Sequence, residues 1–250
     1  WAPDVYEGSP ALTTALMSTL AKVVAIATLY KLVSALNLIP SLENQDLLES
    51  FNLVVVIISI LSMTVGNIMA LRQVNVKRML AFSGISHAGF MLMTLLSITN
   101  VAGSLLYYAA AYSLSGIAAF SVILYVCKNR DNEDIVNFHG LAKTNPLLAA
   151  ILTGSLLSMA GIPIFAGFFA KLVLFGQTIQ AGYLVVVIFA VINSIISVGY
   201  YFKLILAMYT KEPNEARTGK AYLYHAVAIV AIVLNIVIGL FPSLILDLLA

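Results

Sequence analysis

The sequence predicts an all-α polytopic membrane protein with about seven transmembrane helices, one of them broken mid-membrane. Three observations carry that expectation. Hydrophobic residues make up 61% of the 250 residues and charged residues only 10%, where a soluble domain carries about a quarter charged. The mean hydropathy is +1.00, and the apolar residues come in runs of about 20, the length that crosses a bilayer. One such run is punctuated by Gly161, Pro163 and Gly167, which interrupt the helical hydrogen-bond ladder near its centre.

Taken in order, the first helix is predicted over 10–38, with Pro10 suited to its first turn. The second, third and fourth follow over 51–71, 75–97 and 101–127. The polar stretch Lys128 to Lys143 reads as a solvated connector. The segment 145–180 is too long for one span and too short for two, so it reads as a single broken crossing. The sixth and seventh helices are predicted over 182–209 and 221–249. Charge placement supports this count. With one broken crossing, Arg72, Lys77, Arg78, Lys128, Arg130, Lys143, Lys211, Arg217 and Lys220 share one side. The opposite side holds Glu43, Asp46 and Glu49. The positive-inside rule then puts Trp1 on the cytoplasmic side. Tyr209, Tyr222 and Tyr224 near span ends suit interfacial anchoring.

Composition also excludes function classes. A net charge of +2 without a basic cluster offers nothing to nucleic acid. The single cysteine, Cys127, excludes an internal disulfide and a cysteine-rich metal site. His87, His139 and His225 are too far apart for a local ligand motif. No phosphate loop, dinucleotide fingerprint or nucleophile elbow occurs. The chain opens on Trp1 with no methionine or signal peptide, so the C-terminal part of a longer protein is expected.

The residues that stand out are Lys22 and Lys171. Each lies deep in an apolar stretch that contains no acidic partner, at a cost of roughly 2.5–3.5 kcal/mol for a lysine at a bilayer centre. Ala11, Ala15, Ser18, Lys22 and Ala25 form a small, polar stripe that would face other helices. Lys171 follows Pro163 by eight residues, in the second half of the broken helix. A break exposes unpaired backbone groups at membrane depth, tolerable only beside protein or water. Both lysines therefore read as members of a proton path. The bland reading has them reach an interface or pair with carboxylates elsewhere.

His87 lies mid-span near Ser83 and Thr94; it reads either as a relay between the lysines or as a neutral histidine bonded to a neighbouring helix. Lys31 and Lys203 lie near span ends and read as snorkelling residues, with a role at a channel mouth as the alternative. Ser104, Tyr108, Tyr112 and Ser115, and Asn193, Ser197 and Tyr201, form polar stripes that read first as glue between helices and second as a water wire. Asn67 and Asn235 stand alone. Asp4 and Glu7 read as partners of a helix N-terminal dipole.

Three motifs carry a resemblance. Trp1-Ala2-Pro3-Asp4-Val5-Tyr6-Glu7-Gly8-Ser9-Pro10, the stretch Asn75 to Phe90 containing Lys77-Arg78 and Ser86-His87, and Leu157 to Pro163 followed by Ala166-Gly167-Phe168-Phe169-Ala170-Lys171 resemble, in order and spacing, the antiporter-like membrane subunits of respiratory complex I. The Asp4-Val5-Tyr6 form is similar to the subunit N branch rather than the L and M branches or the sodium/proton antiporter relatives. One departure is Ile164-Phe165, where a second proline and a threonine are common.

The resemblance implies two inverted five-helix repeats, each with a broken helix. Residues 1–50 would then hold the last helix of the first repeat, 51–210 the second repeat, and 211–250 the C-terminal helix. It implies a proton relay through Lys22, His87 and Lys171, in a non-redox subunit of a proton-pumping NADH:quinone oxidoreductase. NAD, FMN, iron–sulfur clusters and quinone would be bound by partner subunits, and this chain would hold no cofactor. Its partners would be other membrane-arm subunits, lipid and protons. A bacterial inner membrane is the expected location, with an organellar inner membrane as the other option. The alternative reading is a Na⁺/H⁺ antiporter subunit, and a third is a structural or quinone-lining module whose lysines only hold helices together.

Overall fold

A computed structural model describes residues 1–37, 45–96, 101–128, 130–213 and 222–246. The described residues are mainly helical, with no strand beyond one isolated bridge between Asn75 and Asp134. Six helices are long and apolar enough to cross a membrane: 11–35, 49–71, 76–96, 102–126, 184–210 and 222–240. The predicted fifth crossing is two shorter helices, the apolar α8 (Pro146–Ala160) and α9 (Ala166–Gln180), which carries Lys171. A multi-pass membrane protein with one interrupted crossing is the result.

The break follows from local sequence. Gly161 ends α8 at φ 89° and ψ 42°, the left-handed conformation a glycine adopts without a Cβ penalty. Its N–H bonds back to Leu157 and Ser158. Pro163 then denies the chain a donor. Ile164 is the unexpected member: it too has φ 89°, a costly conformation for a β-branched residue. Gly167, assigned to the break by the sequence, lies inside α9 instead. Its lack of a side chain lets the α9 backbone lie directly against the carbonyl of Ser158.

The first predicted helix is not continuous. It comprises α2 (Ala11–Leu16), a π-helical turn (Met17–Ala21) and α3 (Lys22–Asn37), with Pro10 as the N-cap rather than in the first turn. The extra residue of a π-turn shifts the register of the helix beyond it. Ala25, placed on the buried stripe by helical spacing, is therefore exposed, and Ile26 is buried in its place. Residue 38 lies outside the described residues.

A further helix, α1 (Ala2–Gly8), precedes this span. Asp4 lies in its first turn, where a helix dipole favours an acid, and Asp4 and Glu7 also form ion pairs with Arg78, at 2.6 Å each. Helix α4 (Gln45–Leu71) starts earlier than the predicted 51, whereas α5 (Val76–Leu92, continued as a 3₁₀ turn Met93–Leu96) and α6 (Val101–Val126) match their predicted spans, residue 97 lying outside the described residues. The segment after α6 is not a plain solvated connector. Ile135–Phe138 forms a 3₁₀ turn with Phe138 fully buried, and Glu133 pairs with the buried Lys77 at 2.9 Å. The short α7 (Leu141–Thr144) follows it.

Helix α10 spans Leu184–Thr210 and α11 spans Tyr222–Leu240. The last predicted span is cut short, because Pro242 cannot continue the ladder and only α12 (Ser243–Leu246) follows. Glu43, Arg217 and Lys220, used in the charge count, lie outside the described residues, as do 221 and 247–249.

Candidate functional site

Helix α5 carries the centre of the site. Asn75 caps it by accepting a hydrogen bond from the Arg78 amide, and glycines at 66 and 89 let α4 and α5 pack backbone against backbone. That close packing buries α5 almost wholly and sets His87, 5% exposed, facing α6 and α10. Its Nδ1 lies 3.0 Å from the Tyr108 hydroxyl and its Nε2 3.3 Å from the Tyr201 hydroxyl. Tyr201 also meets Ser83 at 2.5 Å. The imidazole packs against the Tyr112 ring, with centroids 4.7 Å apart.

Lys22 approaches from the π-turn side. Its Nζ donates a long hydrogen bond of 3.4 Å to the Tyr112 hydroxyl and lies over the rings of Tyr6 and Tyr112 at 5.4 and 5.7 Å, close enough for cation–π attraction. Ser18 contacts the same Tyr112 hydroxyl at 3.4 Å. Gly84 leaves the space that the ammonium occupies. The π-turn places Lys22 at this point, and Thr19 within the turn donates to the Ala15 carbonyl.

Lys171 is 5% exposed. Its Nζ donates to the carbonyl of Ala160 at 3.0 Å, one of the acceptors left without an intrahelical partner where α8 ends. The Phe90 ring lies 4.9 Å away. Thus the break supplies the ammonium with its hydrogen-bond partner directly. Among the described residues, no carboxylate forms an ion pair with Lys22 or Lys171.

Two cavities touch Lys171. The inner one, on the scale of a single water molecule, is lined by His87, Tyr108, Ser115, Ser158 and Lys171 among others. The outer one offers about 240 Å³ between the break and α10, bordered by Gly161, Phe168, Leu172, Ser194 and Ile195. His87 and Lys171 thus face one small space, while Tyr112 links His87 to Lys22. Hydrogen bonds join Lys22 to Tyr112 and His87 to Tyr108 and Tyr201, while Tyr112 and His87 meet ring against ring.

The sequence singled out all three ionisable residues. It ranked Tyr108, Tyr112 and Tyr201 as glue, because contact with His87 depends on three separate helices. It missed Tyr6, whose helix is short and polar. Asn67 and Asn235 do not stand alone. Asn67 bonds Asn193 and Tyr200, and Asn235 bonds Ala111, Ser115 and Ala166. Lys203 donates to the Gln73 carbonyl at the end of α4, and Lys31 is exposed.

Comparison with known proteins identifies the family and the fold. Residues 1–197 match the family described as NADH:quinone oxidoreductase/Mrp antiporter, TM. The chain is 82% identical over its whole length to a protein named NADH-quinone oxidoreductase subunit N from Flavobacterium johnsoniae, covering 54% of that protein. It is 60% identical to the like-named protein of Flavobacterium psychrophilum, covering 53% of it. The chain therefore spans about half the length of the curated relatives it matches. A chain of respiratory complex I from Thermus thermophilus superposes with a TM-score of 0.85 at 33% identity, over 99% of this chain and 53% of that one. A chain of the Mrp complex from Dietzia superposes with a TM-score of 0.87 over 99% of this chain and 54% of that one. At 22% identity, that likeness concerns the fold alone.

Proposed function

This chain belongs to the NADH:quinone oxidoreductase/Mrp antiporter transmembrane family, and from that premise we propose that it works as subunit N of a proton-pumping NADH:quinone oxidoreductase. Lys22, His87 and Lys171 form its relay, with Tyr112 between the first two and the inner cavity between the last two. The observation that supports this most is the shared cavity of His87 and Lys171 beside a helix break. Residues 51–210 act as one antiporter-like repeat, with 1–50 closing the preceding one and 211–250 as the terminal helix. The subunit performs no redox step. NAD, FMN, iron–sulfur clusters and quinone act in partner subunits of the same complex, in a bacterial inner membrane. Moving one charge against 100 mV costs about 2.3 kcal/mol. A single hydrogen bond to a charged group, about 1.5–3 kcal/mol, is on that scale, so exchanging partners at one lysine suffices to drive a step.

The test is Lys171→Ala in the complete complex reconstituted into vesicles. Fewer protons moved per NADH oxidised supports the reading, and an unchanged ratio in a fully assembled complex overturns it. Sodium-dependent transport by the isolated full-length subunit would favour the antiporter reading. Loss of assembly in Lys22→Met, with normal pumping by the complexes that survive, would favour a purely structural role.

A further inference from the structure

We propose that Asn235, on the last long helix, is a positioning residue that fixes the direction of a hydrogen-bond chain ending at a one-water site between His87 and Lys171. This deepens the proton-pumping reading and rests on it.

Asn235 is fully buried, and its surroundings leave its amide only one orientation. The Ala166 amide, an orphan donor at the start of α9, donates to Oδ1 at 3.4 Å. The Nδ2 group donates to the Ala111 carbonyl and to Ser115 Oγ, both at 3.0 Å. Reversing the amide would set donor against donor and carbonyl against carbonyl. Helix α11 is held in register for this by Gly239, whose lack of a Cβ admits the backbone of Ile164–Ala166, and by the Tyr107 hydroxyl donating to the Ile238 carbonyl.

The direction then propagates. Ser115 receives the Asn235 hydrogen and passes on its own. It has two acceptors, the Ala111 carbonyl at 2.8 Å and Ser158 Oγ at 2.9 Å, and the Asn235 donation to that carbonyl favours Ser158. Ser158 Oγ also accepts from the Gly167 amide at 3.3 Å, so both of its lone pairs are used. With Ser115 as the donor of the Ser115–Ser158 pair, the hydrogen of Ser158 has no other hydrogen-bond acceptor among the described residues. That hydrogen turns into the inner cavity, which Ser158 lines together with His87, Tyr108 and Lys171.

A water in this cavity accepts from Ser158 and keeps one lone pair and two hydrogens for the groups around it. Its polarity is set from a helix that touches neither His87 nor Lys171 in the hydrogen-bond network. The break, the α9 N-terminus and the cavity wall are thereby tied to α11 through one side chain. Without that tie, the water turns freely and transfer toward Lys171 loses its preferred orientation.

The experiment uses the full-length subunit in the complete complex, reconstituted into vesicles, with NADH-driven proton pumping and its solvent deuterium isotope effect as readouts. Ser158→Ala is expected to slow pumping about fivefold, the scale of one lost hydrogen bond, and to raise the isotope effect. Ser158→Thr, which keeps the hydroxyl, is expected to restore both. Asn235→Ala is expected to match Ser158→Ala, and the double variant to be no slower than either single one, since all three interrupt one chain. Wild-type pumping in Ser158→Ala, no rescue by threonine, or additive losses would overturn the proposal. If Asn235→Ala fails to assemble, the alanine and threonine pair at Ser158 decides alone. Lys171→Ala in the same preparation separates the two levels. Normal pumping there defeats the relay itself, whereas its loss beside a normal Ser158→Ala defeats only the role of the chain from Asn235.

Discussion

Lys22 and Lys171 reach the same network by different backbone distortions. At Lys22 the helix absorbs one extra residue in a π-turn and continues. At Lys171 the helix stops, crosses two left-handed residues and restarts. The consequences for the two ammonium groups differ. Lys22 remains half-buried, resting over Gly84 against a hydroxyl and two rings, at distances that leave it room to move. Lys171 is enclosed and bonded to a carbonyl that the break itself released. A π-turn rotates side chains while sparing the ladder, whereas a full break also supplies free backbone acceptors. The first arrangement suits a mobile proton carrier, the second a fixed exchange point beside water.

Substitutions at matched positions sharpen this contrast. The largest effect is expected at Gly167, where an alanine Cβ would fall on the Ser158 backbone carbonyl. Overpacking of this kind costs about 3 kcal/mol, so Gly167→Ala should lower the thermal midpoint of the purified complex and its assembled yield. Next is Ile164→Gly, which removes a left-handed β-branched residue from the break. It should stabilise by about 1 kcal/mol and raise the midpoint. A fall would show that the Ile164 side chain matters more than its backbone.

Tyr112→Phe removes the hydroxyl shared by Lys22 and Ser18. Losing about 1 kcal/mol of hydrogen bonding should slow pumping roughly fivefold with little change in thermal midpoint. Gly84→Ala should affect stability least. Its Cβ meets the flexible end of Lys22 and the Tyr112 hydroxyl rather than backbone, and alanine adds up to about 1 kcal/mol of helix propensity. Assembly should be retained while pumping falls. If Gly84→Ala destabilises as much as Gly167→Ala, the mobile view of Lys22 is wrong.

The sequence was most legible where one residue type had one physical meaning. Runs of about 20 apolar residues located the spans, and Gly161 with Pro163 located the break. Lys22, His87 and Lys171 announced themselves by sitting where charge is costly. The features that escaped depended on tertiary contact. The α1 helix is short and polar, and ion pairs from Arg78 hold it. The π-turn has no local signature, since Met17 to Ala21 reads as ordinary helix. The buried Phe138 and the Lys77–Glu133 pair looked like a polar connector because charged residues surround them. Tyr201 acquires its role only when α10 packs beside α5.

The whole relay requires the amine of Lys171 to give up and regain a proton during turnover. Difference infrared spectroscopy of the complete complex with ¹⁵N-labelled lysine, triggered by NADH, reads this directly. Isotope-sensitive amine bands are expected to appear during turnover, and the component due to Lys171 is expected to be lost in Lys171→Ala. A lysine spectrum unchanged by turnover, or turnover bands identical in the parent complex and Lys171→Ala, would refute the relay.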